Sequence, residues 1–246
     1  MELFHVDINA DVGEGIDNEE QLMPFLSSCN IACGGHAGDE GTMRKVVKLA
    51  KVHQVKVGAH PSFPDKENFG RQAMEMPYAA LFESLKHQVD GLLKILREEQ
   101  VSLHHIKPHG ALYNMAAADK KLAGVVIEVL KTYATPVQLY VPYGSVIADL
   151  AVQHNIPIVY EVFADRNYND DLSLVSRLKK DALIHDVDDM FEHVYRMISM
   201  REVKSIDGTN VPIRVDTVCV HGDNSEAIKL VENLWKRLEE KGVKIY

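Results

Sequence analysis

The tightest constraint on this chain is an alternation. Short β-branched runs, each ending in a turn-like or polar motif, give way to amphipathic helix patterns along most of its length. The runs predict strands at residues 4–9, 28–33, 56–59, 103–106, 137–141, 156–162 and 217–220. Between them, residues 42–53 place Met43, Val46, Val47 and Ala50 on one helical face. A longer helix opens at Pro77 and aligns Phe82, Leu85, Val89, Leu92, Leu93 and Leu96. Further helices are expected at 117–133, up to about 154, at 188–200, and in a last segment carrying Leu230, Leu234 and Leu238 behind an Asn224 or Ser225 cap. Regular β-α alternation implies a mostly parallel sheet with right-handed crossovers, which either stays open or curls shut. Seven units without a Gly-x-Gly-x-x-Gly fingerprint favour an irregular seven-stranded (β/α) barrel over a dinucleotide-binding sheet. No Pro/Gly/Ser-rich linker divides the chain, so residues 1–246 are expected to form one domain, with 205–212 as a hairpin loop.

Charge narrows the partners. Acidic residues outnumber basic ones by 36 to 27, and no basic stripe is present, which argues against nucleic acid. No apolar run approaches the roughly 18 residues that span a bilayer. The three cysteines are an odd number and follow no secretory signal, so a reduced, cytoplasmic protein is expected. Cys29 and Cys33 lack a second cysteine pair to complete a zinc site and read as small buried hydrophobes.

The reactive residues gather at one kind of position. Asp11, His36, His60, Lys107, His109, Asp165, Arg166, His221 and Asp223 each lie just after an apolar run. In a β/α barrel the loops at that face form the active site. Asp7, Asn9 and Asp11 alternate along the first strand, and burying such a row is costly unless it meets partners or a ligand. Asn9 fits a structural role as well as a binding one. Glycines around His36 permit close backbone approach, and Asp39 can cap the next helix. Lys107 and His109 are two residues apart, so an extended strand end points both the same way. The Lys can hold an anion and the His can shuttle protons. Asp165-Arg166 reads equally as an internal ion pair or as an arginine presented to a substrate carboxylate. His104 and His105, inside a strand, read as structural. No P-loop, His-Glu-x-x-His or Gly-x-Ser-x-Gly motif is present.

Taken together, Asp7-Ile-Asn-Ala-Asp11 with Gly13-Glu14, Asn30-Ile-Ala-Cys-Gly34, His36-Ala-Gly-Asp39, Gly58-Ala-His-Pro-Ser62, Phe69-Gly-Arg71, Lys107-Pro-His-Gly-Ala-Leu-Tyr-Asn114, Glu161-Val-Phe-Ala-Asp-Arg166 and Cys219-Val-His-Gly-Asp223 resemble the LamB/YcsF family, in the family's order. The resemblance implies a barrel like those of the glycoside hydrolase/deacetylase group. It implies ATP-dependent opening of the 5-oxoproline (pyroglutamate) lactam to L-glutamate, in a 5-oxoprolinase whose A component works with subunits B and C. ATP would then be handled with those partners, which agrees with the missing P-loop. Under this reading Asp11, Lys107, His109 and His221 are the catalytic candidates. Asn9, His36, His60, Arg71, Asp165, Arg166 and Asp223 are the substrate-binding ones. The chain departs from the family at Gly35, where Phe is frequent, at Gln72, where a second Arg is frequent, and after Tyr168, where Asp-Gly and a small residue commonly precede Leu-Val-x-Arg and this chain has Asn169-Asp-Asp-Leu-Ser-Leu-Val-Ser-Arg177. The metal content is left open. A metal-dependent amidase or deacetylase using His36, His60, His109, His221 and Asp11 is the alternative, and a non-catalytic binding role is a third.

Overall fold

The computed structural model describes residues 4–221 and 227–246. Strand β1 (His5–Val12) runs through a short helix, α1 (Glu19–Leu22), to β2 (Ser28–Ala32). Helix α2 (Glu40–His53) leads to β3 (Lys56–His60), α3 (Tyr78–Glu98) to β4 (Leu103–Ile106), and α4 (Gly110–Ala116) with α5 (Lys120–Lys131) to β5 (Gln138–Pro142). Then come α6 (Val146–Gln153), β6 (Ile158–Phe163), α7 (Val187–Met200), the pair β7 (Glu202–Lys204) and β8 (Asn210–Pro212), β9 (Thr217–Val220), α8 (Ala227–Glu240) and β10 (Lys244–Ile245).

Strands β1 to β6 and β9 pair in parallel around a closed ring, because β9 bonds to both β6 and β1. This is the expected seven-stranded barrel, with all seven strands where the β-branched runs lie. β10 adds a short parallel pairing beside the start of β1, and β7–β8 form an antiparallel hairpin outside the barrel. The expected helix at 117–133 is two helices. The chain turns at Ala117, and Asp119 restarts it by accepting hydrogen bonds from the Lys121 and Leu122 amides. The α3 stripe is rotated slightly from expectation: Leu81 and Ile95 are buried with Leu85, Val89, Leu92 and Leu96, whereas Phe82 and Leu93 are half-buried. The Asn224 or Ser225 cap lies outside the described residues.

The two-residue period of β1 explains the barrel's character. Val6, Ile8, Ala10 and Val12 face outward into the apolar layer under the helices. Asp7, Asn9 and Asp11 face inward and are joined to side chains of other strands. Low in the barrel, Ser28 Oγ and Thr217 Oγ1 donate to Asp7 Oδ1 at 2.7 and 2.6 Å. One layer up, Asn9 Nδ2 donates to Thr217 Oγ1 and Glu161 Oε1, while Asn30 Nδ2 donates to Asn9 Oδ1 and Asp11 Oδ1. His105 closes this layer, donating from Nε2 to Asn30 Oδ1 at 2.6 Å and stacking on Tyr140 with ring centroids 3.8 Å apart. Its sequence reading as a structural histidine fits this position. The interior is therefore a connected polar network, which offsets the cost of burying these groups.

Gly58 makes room for that histidine. A Cβ at residue 58 would fall 2.1 Å from His105 Nε2. Gly58→Ala is expected to push the ring off Asn30 and to lower stability by about 1–3 kcal/mol. Gly91→Ala, in the middle of α3 with nothing within 4 Å of the new methyl, is expected to raise stability by about 0.5–1 kcal/mol. Urea unfolding of the two variants checks both signs.

Candidate active site

Lys107 leaves the end of β4, its amide bonding to Ala59 O, and turns its side chain into the barrel mouth. The residue is 2% exposed. Its Nζ lies 2.9 Å from Asp11 Oδ1 and 2.9 Å from Glu161 Oε1, and it donates to Cys219 Sγ at 3.1 Å. Burial disfavours the ammonium, but Asp11, Cys219 and Glu161 reverse this and hold Lys107 well above the usual lysine range. Burial also works against the Asp11 carboxylate, yet His60 and Lys107 keep it well below the usual carboxylate range. The second Glu161 oxygen, Oε2, and the Tyr113 hydroxyl are buried and find no hydrogen-bond partner among the described residues. Burial and the neighbouring Glu161 charge raise the Tyr113 phenol, which stays protonated.

Beside this charged centre stands a histidine cluster. His60 Nε2 is 3.2 Å from Asp11 Oδ2 and 2.9 Å from His109 Nδ1. His36 stacks on His109 at 3.6 Å and places Nε2 2.9 Å from Glu14 Oε1. Gly38 (φ +82°) allows the tight turn after His36, since a Cβ there would meet Ala32 O at 2.4 Å, and Asp39 caps α2 as expected by accepting from the Thr42 amide. Burial pushes His36 down to about 4 and lowers His109, so both rings are neutral near pH 7. Burial, with the nearby Asp11 charge, pushes the Glu14 carboxyl up to about 7.

On the opposite rim His221 follows β9. Its Nδ1 lies 2.8 Å from both Asp165 oxygens, and Arg177 Nη2 lies 3.4 Å from its Nε2. Asp165 thus pairs with His221, while Arg166 Nη2 donates to Val175 O at 2.7 Å. Burial opposes the imidazolium, but Asp165 outweighs it and holds His221 above the usual histidine value. Burial likewise raises Asp165, and His221 overcomes that to leave it lowered.

These groups surround one cleft of about 530 Å³ at the C-terminal ends of the strands. That size falls in the range of small-molecule sites, about 300–1,000 Å³. Asp11, His60, Lys107, His109 and His221 line it together with Arg71, Arg166 and Arg177. Among the expected residues, His36 lies one layer behind His109, Asn9 sits beneath Asp11, and Asp165 acts through His221. Asp223 lies outside the described residues. Glu14, Glu161, Arg177 and Cys219 belong to the site and were not among the sequence candidates. Glu14 and Cys219 lie within the family-like motifs, and Glu161 is a charged residue inside an apolar strand, a legible signal. Arg177 is on a loop and closes the Leu174-Val-Ser-Arg177 run, which matches the family's Leu-Val-x-Arg.

The closed barrel with a polar mouth, catalytic-type side chains and a lined cleft defines a (β/α)-barrel protein with an enzyme-like site. The chain belongs to the LamB/YcsF family, which matches residues 6–246. It is 40% identical over 238 residues to the A subunit of 5-oxoprolinase from Histophilus somni (strain 129Pt), covering 97% of this chain and 96% of that one. It is 41% identical over 247 residues to the A subunit of 5-oxoprolinase from Pyrococcus abyssi (strain GE5 / Orsay), covering 98% and 97%. The crystal structure of a lactam utilization protein from Thermus thermophilus superimposes with a TM-score of 0.91 at 34% identity, covering 98% and 99%. No helix among the described residues is long and apolar enough to cross a membrane.

The His221–Asp165 pair gives a testable pH dependence. Because Asp165 is lowered and His221 raised on folding, its contribution to stability is complete between the ordinary aspartate and histidine midpoints of the unfolded chain. It is lost as pH rises through the His221 midpoint, and also as pH falls through that of Asp165. Asp165→Asn removes the charge that outweighs burial, so the His221 midpoint is expected to fall, read by NMR titration of the ring Cε1–H. An unchanged midpoint would mean that Asp165 does not control the protonation of His221.

Proposed function

We propose that this chain opens the lactam ring of 5-oxoproline to give L-glutamate, as the ring-opening component of an ATP-dependent 5-oxoprolinase working with partner subunits B and C. The observation that carries the reading is the convergence of Lys107, the Asp11 carboxylate and the His221–Asp165 pair on one arginine-lined cleft. The names of the relatives supply the substrate. ATP, handled with the partners, would phosphorylate the lactam carbonyl oxygen and make its carbon a better electrophile.

The chemistry left to this chain is to hold a small carboxylate, attack with water and protonate a leaving nitrogen. Arg71 or Arg166 holds the substrate carboxylate, and Arg177, beside His221, adds positive charge to the same wall. Asp11, kept ionised by its neighbours, takes the proton of the attacking water. The Lys107 ammonium stabilises negative charge developing on the carbonyl or phosphate oxygens. The C–N bond then breaks and its electron pair goes to nitrogen, which takes a proton; the γ-acyl phosphate that remains is hydrolysed by a second water, releasing inorganic phosphate and L-glutamate. Of the two candidate acids, His221 is favoured over His109. His221 is held protonated by Asp165, whereas the His109 ring is neutral and its Nε2 is engaged with Phe69 O. Asn9 acts from beneath, bonding Glu161 and approaching Lys107 at 3.5 Å.

The test is glutamate release from 5-oxoproline, with and without ATP, by this chain alone and with candidate B and C partners. Release only with ATP and all three chains is expected. Asp11→Asn and His221→Gln are each expected to lower turnover by about 100-fold or more. ATP-independent release from another amide would favour an unassisted amidase, and full activity in both variants would leave the chain a non-catalytic binding component.

A further inference from the structure

We propose that Glu14, His36, His60 and His109 form a binding site for one divalent transition-metal ion, zinc being the best match to the donor set. Two backbone carbonyls orient the rings. Lys107 O lies 2.7 Å from His60 Nδ1, and Phe69 O lies 2.9 Å from His109 Nε2. A carbonyl only accepts, so each of these ring nitrogens carries the hydrogen. With that one hydrogen placed, the second nitrogen of each ring, His60 Nε2 and His109 Nδ1, is the one turned toward the cluster as a donor atom. Those two nitrogens face each other at 2.9 Å. Two lone pairs at that distance repel unless a cation lies between or beside them. A carbonyl that accepts the other ring N–H is a usual outer-shell partner of a metal-bound histidine.

The other two donors complete the set. Glu14 Oε1 lies 3.5 Å from His109 Nδ1, 4.0 Å from His60 Nε2 and 2.9 Å from His36 Nε2. The ligating atoms of all four residues lie within 4.8 Å of one another. Zinc bonds of about 2.0–2.1 Å in a tetrahedron place ligand atoms roughly 3.3 Å apart, and the separations here bracket that value. Three imidazoles and one carboxylate suit zinc or a neighbouring first-row ion, not the all-oxygen preference of calcium or magnesium. The site is also rigidly backed. Phe69 holds a positive φ of 56°, a conformation unfavourable for a non-glycine residue, and its carbonyl is the one that fixes His109. Its ring packs edge-on against both His36 and His109.

A second cluster, Asp11, Cys219 and His221, is equally compact but its donors are otherwise engaged. Cys219 Sγ accepts from the Lys107 ammonium, and His221 Nδ1 is paired with Asp165. The competing occupant of the Glu14 cluster is a proton on His60 Nε2, shared with His109 Nδ1 and the Asp11 carboxylate 3.2 Å away. Metal and proton make different predictions in a binding experiment on the chain alone.

The experiment uses the full chain, stripped with a chelator, without ATP or partners, so its outcome is independent of the lactam reading. Zn²⁺ titration by calorimetry is expected to give one equivalent per chain, with Co²⁺ giving the intense visible bands of a four-coordinate site. Glu14→Gln and His36→Gln are each expected to weaken Zn²⁺ binding by about 100-fold or more while far-UV circular dichroism stays native. Zinc is expected to raise the melting temperature of the native chain and not that of Glu14→Gln. No stoichiometric binding, or binding that survives a folded His60→Gln/His109→Gln double variant, would overturn the proposal and leave a shared proton as the occupant.

Discussion

A buried ammonium has to be met by opposite charge, and the Lys107 Nζ at the mouth of this barrel is met by two carboxylates from different strands. Asp11 comes from β1 and Glu161 from β6, each 2.9 Å away. Both are tied further into the barrel. Asn30 holds Asp11, and Asn9 holds Glu161. Taking three charges out of water is expensive, and their attraction balances that cost only when the remaining polar atoms are also bonded. The inward face of the barrel supplies most of those bonds from Asp7 up to Asp11, and the Glu161 Oε2 atom is left without one among the described residues. The same network fixes the protonation states on which the proposed chemistry depends, because Lys107 stays charged and Asp11 stays ionised.

Topology then explains why the residues meet. In a closed parallel barrel every strand ends on one face, so side chains separated by more than 200 residues come together there. Asp11 and His221, from near the two ends of the chain, line the same cleft. The helices, with their apolar faces on the outward-pointing residues of the strands, carry most of the hydrophobic burial. That division leaves the interior free to be polar, unlike barrels whose centre is packed with branched aliphatic side chains.

The strands were legible because their β-branched runs are short and separated by polar motifs. The placement of Asp11, His60, Lys107, His109 and His221 followed from those strand ends. The join between α4 and α5 was not, since the Asp119 cap is a local hydrogen-bonding choice inside a continuous helical pattern. The partners of each charge were not legible either. Asp165-Arg166 are adjacent in sequence, but Asp165 lies against His221 from another strand. The departure at Gly35 has a spatial explanation. A Cβ there would fall 2.3 Å from Gln88 Oε1, and Gln88 fills the space while bonding both the amide and the carbonyl of Ser62. A large side chain at 35 would have to displace it, which no single position reveals.

The dependence of the barrel mouth on charge balance is measured most directly by the unfolding free energy of Lys107→Met. Removing one member of a buried ion pair strands the others, so a loss of about 3–5 kcal/mol in urea unfolding is expected. A triple variant that also carries Asp11→Asn and Glu161→Gln removes the stranded charges and is expected to recover much of the loss. A Lys107→Met protein as stable as the native chain, with no gain from the two further substitutions, would contradict the view that the ammonium and its two carboxylates organise the barrel and its site.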